Sequence, residues 1–263
     1  MNGEARSQEG RARVLAVVNQ KGGVGKSTTS VNLAAALGDL GQRVLLVDLD
    51  PQGNASSGFG LNRHQRELCI YNALLEDTPL ADIIEPVEVE NVFVVPATIQ
   101  LAGAEIELVS AMSRETRLQV VLAPVLGDFD VVIIDCPPSL GLLTINALTA
   151  ADGLIVPVQC EYYALEGLSK LLDSVRLVKT HLNPRLDVFG AVMTMYDSRT
   201  KLSQQVVDEV RDFFEEKVFS TLIPRSVRVS EAPSFGQPVT IYDPNGKGAV
   251  AYRSLAKEVM DRV

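Results

Sequence analysis

The chain has 263 residues, 46% of them apolar and 22% charged, with no tryptophan and a net charge of −9. That length and composition suit one large folded domain and exclude disordered or collagen-like chains. The acidic balance excludes a general basic coat for nucleic acid, although residues 196–263 hold ten Lys/Arg against ten Asp/Glu while residues 1–195 hold 14 against 23.

In chain order, residues 1–13 (MNGEARSQEGRAR) are polar and read as a flexible tail, leaving 14–263 as one domain. Val14–Asn19 predicts a buried strand and Ser27–Leu40 a helix that stops at Gly41. Val44–Asp48 and Val92–Pro96 are the next strands, separated by an irregular stretch over residues 52–90. Leu101–Leu126 reads as mostly helical with a charged face, Val131–Asp135 as a strand and Leu140–Ala151 as a helix. Then come the strand Leu154–Val158, the helix Ala164–Thr180 and the strand Val188–Met195. The helix Ser203–Lys217, a short strand over Val218–Ile223 and a final helix Lys247–Arg262 complete the chain. Strands alternating with helices imply an α/β fold, a mainly parallel twisted sheet with helices on both faces. In such folds ligands bind beyond the carboxyl ends of the strands. Cys69, Cys136 and Cys160 have no paired spacing, which argues against a disulfide framework or a zinc site and fits a reducing, cytoplasmic setting. No apolar run approaches the ~20 residues of a membrane helix.

The first strand runs into Gln20-Lys21-Gly22-Gly23-Val24-Gly25-Lys26-Ser27-Thr28 and then into a helix. A glycine-rich turn there exposes backbone N–H groups, and the helix points its positive end at the same place. A multiply charged anion is the natural guest, with Lys26 reaching the β and γ phosphates and the Ser27 hydroxyl on Mg²⁺. The ordinary phosphate-loop pattern wants glycine five residues before Gly25, where this chain has Gln20, and the loop carries an additional lysine, Lys21. Lys21 either faces a second subunit's nucleotide, as an arginine finger does in other NTPases, or is simply solvated; spacing alone is consistent with both. Asp135 follows four apolar residues, where a lone carboxylate needs a cation or a partner.

KGGVGKST, VDLDPQGN (Val47–Asn54) and IIDCPPS (Ile133–Ser139) together resemble the deviant Walker A ATPases, and within them the ParA/Soj group of chromosome and plasmid partition ATPases, over about residues 13–263. The resemblance implies a P-loop NTPase fold, ATP and ADP as ligands, Mg²⁺ as metal and hydrolysis of ATP to ADP and phosphate. It implies nucleotide contacts from Lys21 through Thr28, water orientation by Asp50, and metal roles for Ser27, Asp135 and, in support, Asp48. Cys136-Pro137-Pro138-Ser139 would be a stiff loop that senses the γ-phosphate. Pro224 and Ser226 match positions beside the adenine, with Ser226 standing where asparagine is frequent; Thr194 and Met195 border the same place. Arg199 and Arg228 match arginines that hold DNA, and Arg225 adds local charge; the competing reading is pairing of these arginines with surface carboxylates. Lys201 adds further local charge beside Arg199, and Lys247 and Arg253 are weaker candidates for that face. The resemblance further implies an ATP-dependent homodimer on non-specific double-stranded DNA, a ParB-type centromere-binding partner that stimulates hydrolysis, and association with the nucleoid.

A MinD-like membrane switch is the alternative, but the chain ends in Ala256-Lys257-Glu258-Val259-Met260-Asp261-Arg262-Val263, whose two acidic and two basic groups attract lipid poorly. A small-molecule kinase or ligase would not need Lys21 in trans. An iron–sulfur electron-transfer ATPase would need cysteine ligands that the three cysteines do not supply. His64 and His181 are isolated and receive no role.

Overall fold

The computed structural model describes residues 11–62, 66–162 and 166–263. The expected tail over residues 1–10, His64 and the start of the expected Ala164–Thr180 helix lie outside the described residues. In order, the elements are β1 (Arg13–Val17), α1 (Lys26–Asp39), β2 (Val44–Asp48), α2 (Asn54–Gly58), α3 (Ile70–Leu75), β3 (Glu85–Pro86), β4 (Val92–Val95), α4 (Leu101–Glu107) and α5 (Arg117–Leu122). They continue with β5 (Val131–Asp135), α6 (Leu142–Ala150), β6 (Gly153–Gln159), α7 (Glu166–His181), β7 (Val188–Tyr196), α8 (Lys201–Phe214) and β8 (Val218–Pro224). The last helices are α9 (Val227–Glu231), α10 (Val239–Tyr242) and α11 (Lys247–Met260).

The strands form a single sheet in the order β3-β4-β2-β5-β1-β6-β7-β8, parallel throughout except for β3 against β4. Aliphatic runs buried on both faces suit parallel strands, and β1, β2 and β5 are Val, Leu, Ile and Ala apart from Arg13 and the closing Asp48 and Asp135. Side chains alternate across β1. Val14 and Ala16 enter one apolar layer with Leu143 and Ala147 of α6, whereas Leu15 and Val17 enter the other with Leu33 of α1 and Leu255 of α11. The described residues thus form a sheet between two helical layers, which is the α/β architecture expected.

β1 begins at Arg13, one residue before the expected boundary, because Arg13 N–H donates to the Asp130 carbonyl at 2.9 Å and Ala12 N–H to the Leu126 carbonyl at 2.9 Å. The expected long helix over Leu101–Leu126 is broken between α4 and α5, where Ser113 takes a φ of 53°. Asn146 captures that break: its side chain donates to the Arg114 carbonyl at 2.7 Å and accepts from Leu118 N–H at 3.1 Å. β3 has no signal in the sequence, being a two-residue edge strand ending in proline. α8 starts earlier than expected because Thr200 caps it, accepting from Ser203 N–H at 3.3 Å.

Register decides where the chemistry falls. β2 and β5 pair with Asp48 beside Asp135, and β1 pairs with β5 so that Val17 also sits beside Asp135. The three central strands therefore deliver the phosphate loop and both carboxylate-bearing turns to one end of the sheet.

Candidate nucleotide site

The loop between β1 and α1 turns on Gly23 and Gly25, with φ of 75° and 90°, values that side-chain-bearing residues rarely adopt. Gly25 is the N-cap of α1 and supplies no side-chain cap, so the first N–H groups of that helix stay available to an anion. The loop is fastened from both sides. Asn19 donates to the Pro157 carbonyl of β6 at 2.7 Å and accepts from Lys21 N–H at 3.0 Å. Thr194 of β7 donates from its hydroxyl to the Val24 carbonyl at 2.8 Å.

Lys26 is buried, and its Nζ donates to the Lys21 carbonyl at 3.1 Å. Burial lowers its pKa, while Asp135 and Asp50 act in the opposite direction and favour the ammonium. Lys21, Gly22 and Gly23 are exposed on the rim. Among the described residues, nothing forms a hydrogen bond or ion pair with the Lys21 ammonium.

The two strand-end carboxylates behave differently. Asp48 Oδ2 accepts from the Ser56 N–H at 2.8 Å and hydroxyl at 2.7 Å, and its Oδ1 accepts from Asp50 N–H at 3.1 Å. Asp48 therefore clamps the turn between β2 and α2 from a position beside Asp135, and burial raises its pKa. Asp135 Oδ1 accepts from the Ser30 hydroxyl at 2.8 Å, whereas its Oδ2 is buried with no partner. Burial, and then the neighbouring Asp48, raise the Asp135 pKa. An orphaned carboxylate oxygen behind the phosphate loop is what a cation site provides, so Asp135 and Ser27 fit Mg²⁺ better than Asp48 does. Asp50 is nearly buried; its Oδ1 accepts from Gln52 N–H at 2.9 Å and its side chain lines the cleft.

That cleft has a volume of about 580 Å³. Gly22, Gly23, Gly25, Lys26, Ser27 and Thr28 form one wall, and Asp50, Pro138, Met195, Pro233 and Gln237 lie on the others. A separate, smaller hollow of about 100 Å³ shares Gly25, Thr28 and Met195 with it and is otherwise walled by residues including Thr194, Pro224 and Ser226. The expected base contacts are thus gathered beside the phosphate loop, and Met195, at a φ of 54°, lines both spaces. Val24 is buried under the loop and not on the cleft wall.

Several site residues carry no motif signal. Asn19, Ser30 and Ser56 act through hydrogen bonds to the loop, β6 or the carboxylates, and Pro233 and Gln237 reach the cleft because the turn after α9 packs against α2. The polar residue just past a buried strand is the one cue that could have found Asn19. The three cysteines are free and buried; burial pushes the Cys160 thiol up to about 12 and Cys136 well above its ordinary value, so neither is a nucleophile.

Arg199, Arg225 and Arg228 are exposed on the segments that leave β7 and β8, and each is paired with a carboxylate. Among the described residues, no helix is long and apolar enough to cross a membrane.

A family model described as an AAA domain matches residues 12–188. The chain is 60% identical over 247 residues to the sporulation initiation inhibitor protein Soj of Bacillus subtilis, covering 94% of this chain and 98% of that protein. It is 52% identical to the chromosome partitioning protein ParA of Myxococcus xanthus, over 95% of this chain and 88% of that one. Among solved structures, cobyrinic acid a,c-diamide synthase from Mycobacterium smegmatis with bound ADP and magnesium aligns with a TM-score of 0.84 at 42% identity, covering 95% of this chain and 94% of that one. With a glycine-rich loop, a carboxylate carrying a buried unpartnered oxygen and two adjacent hollows at one end of the sheet, and with relatives this close over nearly its whole length, the chain belongs to the Soj/ParA family of chromosome-partitioning ATPases.

Proposed function

We propose that this ATPase is a DNA-partition switch in which ATP joins two copies face to face across their nucleotides. The observation that carries the reading is Lys21: a lysine on the open rim of the cleft whose ammonium has no partner among the described residues. Within one chain Lys26 already serves the phosphates. A second cation on the rim has work to do only on a nucleotide held by another copy.

In hydrolysis, Asp50 orients a water whose oxygen bonds to the γ-phosphorus as the bond to the β-bridging oxygen breaks, with one proton leaving the water. Lys26 and the loop N–H groups hold the phosphates while charge gathers on them. Ser27 and Asp135 hold Mg²⁺, which when bound neutralises phosphate charge. Pro224 and Ser226 hold the base. The partner's Lys21 completes the charge balance, which ties turnover to pairing.

The paired form presents two copies of Arg199, Arg225 and Arg228 on one face. Arginine contacts to phosphates bind duplex DNA without reading sequence, and doubling them makes binding depend on ATP. A ParB-type centromere-bound partner stimulates hydrolysis and returns monomers, so the protein cycles on and off the nucleoid in the cytoplasm. The test is a titration of random-sequence duplex with ATP, ADP or no nucleotide at two salt concentrations, with molecular mass followed by light scattering. Retention with ATP alone, falling steeply with salt and coincident with dimer mass, is expected; equal retention in all three states sinks the reading.

The name carried by the 42%-identical solved structure favours a second reading, a small-molecule ligase on the same nucleotide fold. Lys21→Ala separates the two: normal ATP turnover by that variant supports the ligase, and loss of turnover supports the switch. ATP-dependent pelleting with acidic liposomes would instead favour a MinD-like membrane switch.

A further inference from the structure

The three arginines assigned to the duplex are all held within the chain. Arg199 grips Asp197 with two prongs, Nε to Oδ1 at 2.9 Å and Nη2 to Oδ2 at 2.7 Å, and its backbone N–H donates to the same Oδ1 at 3.0 Å. Arg225 Nη2 donates to Glu161 Oε1 at 2.6 Å. Arg228 Nη1 lies 3.3 Å from Glu231 Oε2 and 3.4 Å from the Tyr242 hydroxyl.

These pairs are neighbours. Glu161 follows β6, Asp197 and Arg199 follow β7, and Arg225 follows β8, whose Pro224 is in register with Tyr196. Arg225 N–H donates to the Tyr196 carbonyl at 2.9 Å. Glu161, Arg225, Asp197 and Arg199 thus stand as alternating charges across the ends of three adjacent strands. A carboxylate in the fork of a guanidinium uses the same N–H groups that a phosphate diester would use.

We infer that Asp197, Glu161 and Glu231 are resident competitors for polyanion: each occupies its arginine until a phosphate displaces it, and together they hold down the affinity of the resting face. The inference rests on the duplex-binding reading above. The pairs are solvent-exposed, with the arginine side chains 53–85% accessible, so displacement is cheap. Each pair lowers duplex affinity by roughly two- to fivefold at most, as expected for exposed ion pairs. The two-pronged Asp197–Arg199 pair is the strongest of the three.

Removing any acidic charge near DNA raises affinity through the long-range field, so the test must separate that effect from competition for one arginine. The full-length protein with ATP is titrated with random-sequence duplex as wild type, Asp197→Asn, Arg199→Ala and the double variant. Glu209→Gln is the control, an exposed acid on α8 with the same change of charge. Asp197→Asn is expected to tighten binding about two- to fivefold, and that gain is expected to vanish in the Arg199→Ala background. The Glu209→Gln gain should be smaller and should survive Arg199→Ala. A parallel cycle with Glu161→Gln and Arg225→Ala reads the same quantity should either Asp197 variant fold poorly. Wild-type retention of duplex with an unchanged Asp197→Asn, or a gain that persists without Arg199, overturns the inference alone. No retention of duplex by wild type or any variant overturns the duplex reading as well.

Discussion

A single unpartnered atom carries much of the chemistry at the residue scale. Asp135 and Asp48 end adjacent strands and are both fully buried, yet only Asp135 keeps an oxygen without a donor. The difference is local: the turn after β2 brings Ser56 back onto Asp48. Asp50, two residues on, remains on the cleft, so Asp50→Ala should keep ATP and slow hydrolysis by roughly 100-fold or more while leaving the fold intact, which single-turnover assays with radiolabelled ATP would check. A second prediction concerns Asp197. The Arg199 side chain, then its backbone N–H, hold the Asp197 carboxyl down to about 2, below the ordinary 3.8. A depressed carboxylate stabilises the fold above its unfolded pKa, and that contribution is lost as pH falls through the folded value. The pair should therefore keep the carboxyl charged below the ordinary range, and carbon-13 NMR of the carboxyl should show a titration shifted to lower pH that Arg199→Ala returns towards 3.8; a titration that Arg199→Ala leaves unmoved would show that the pair does not form.

At the scale of elements, the phosphate loop depends on strands that are remote in sequence. Thr194 lies 170 residues from Val24, the carbonyl it holds at 2.8 Å. Thr194→Val preserves shape but leaves that carbonyl without its donor, which costs about 1–3 kcal/mol. Urea unfolding should register the loss, and ATP affinity should fall with it, because the loop is no longer tied to β7. The strands and α1 were legible from buried β-branched runs and from the glycine-rich turn between them. The break between α4 and α5 was not. It is made by Asn146 of α6, and no local pattern in residues 101–126 records a hydrogen-bonding partner supplied by another helix. The short helices over residues 224–246 were equally hidden, since they are placed by packing onto α1 and α11, as where Val239 N–H donates to Asn32 Oδ1 at 2.6 Å.

For the whole molecule, the decisive feature is the open mouth of the cleft. A Cβ built on Gly22 meets no atom of the chain within 4 Å, and its φ is not in the left-handed region. Gly22→Val should therefore fold with stability within about 0.5 kcal/mol of wild type. It should also bind ATP as a monomer, because the added methyl groups stand where a second copy must approach; light scattering with ATP reads the outcome, and an ATP-dependent dimer of this variant would refute the face-to-face arrangement. Arg228→Glu should do the opposite, dimerising with ATP while losing duplex affinity by at least about tenfold at low salt, with a shallower salt slope. Filter binding at two ionic strengths measures both.

Sequence alone determined the α/β class, the phosphate loop, the identity of the cations in it and the family, because these are written in short contiguous stretches whose local geometry follows from glycine, buried strands and charge. Tertiary structure alone decided which buried carboxylate oxygen is left without a donor, how Pro224 and Ser226 come to line one hollow with Thr28, and that Arg199, Arg225 and Arg228 each have an acid in their grasp. The physical reason is range. Backbone propensity acts over a few neighbouring residues, whereas desolvation and pairing depend on what long-range strand register and packing bring within about 3 Å of an atom.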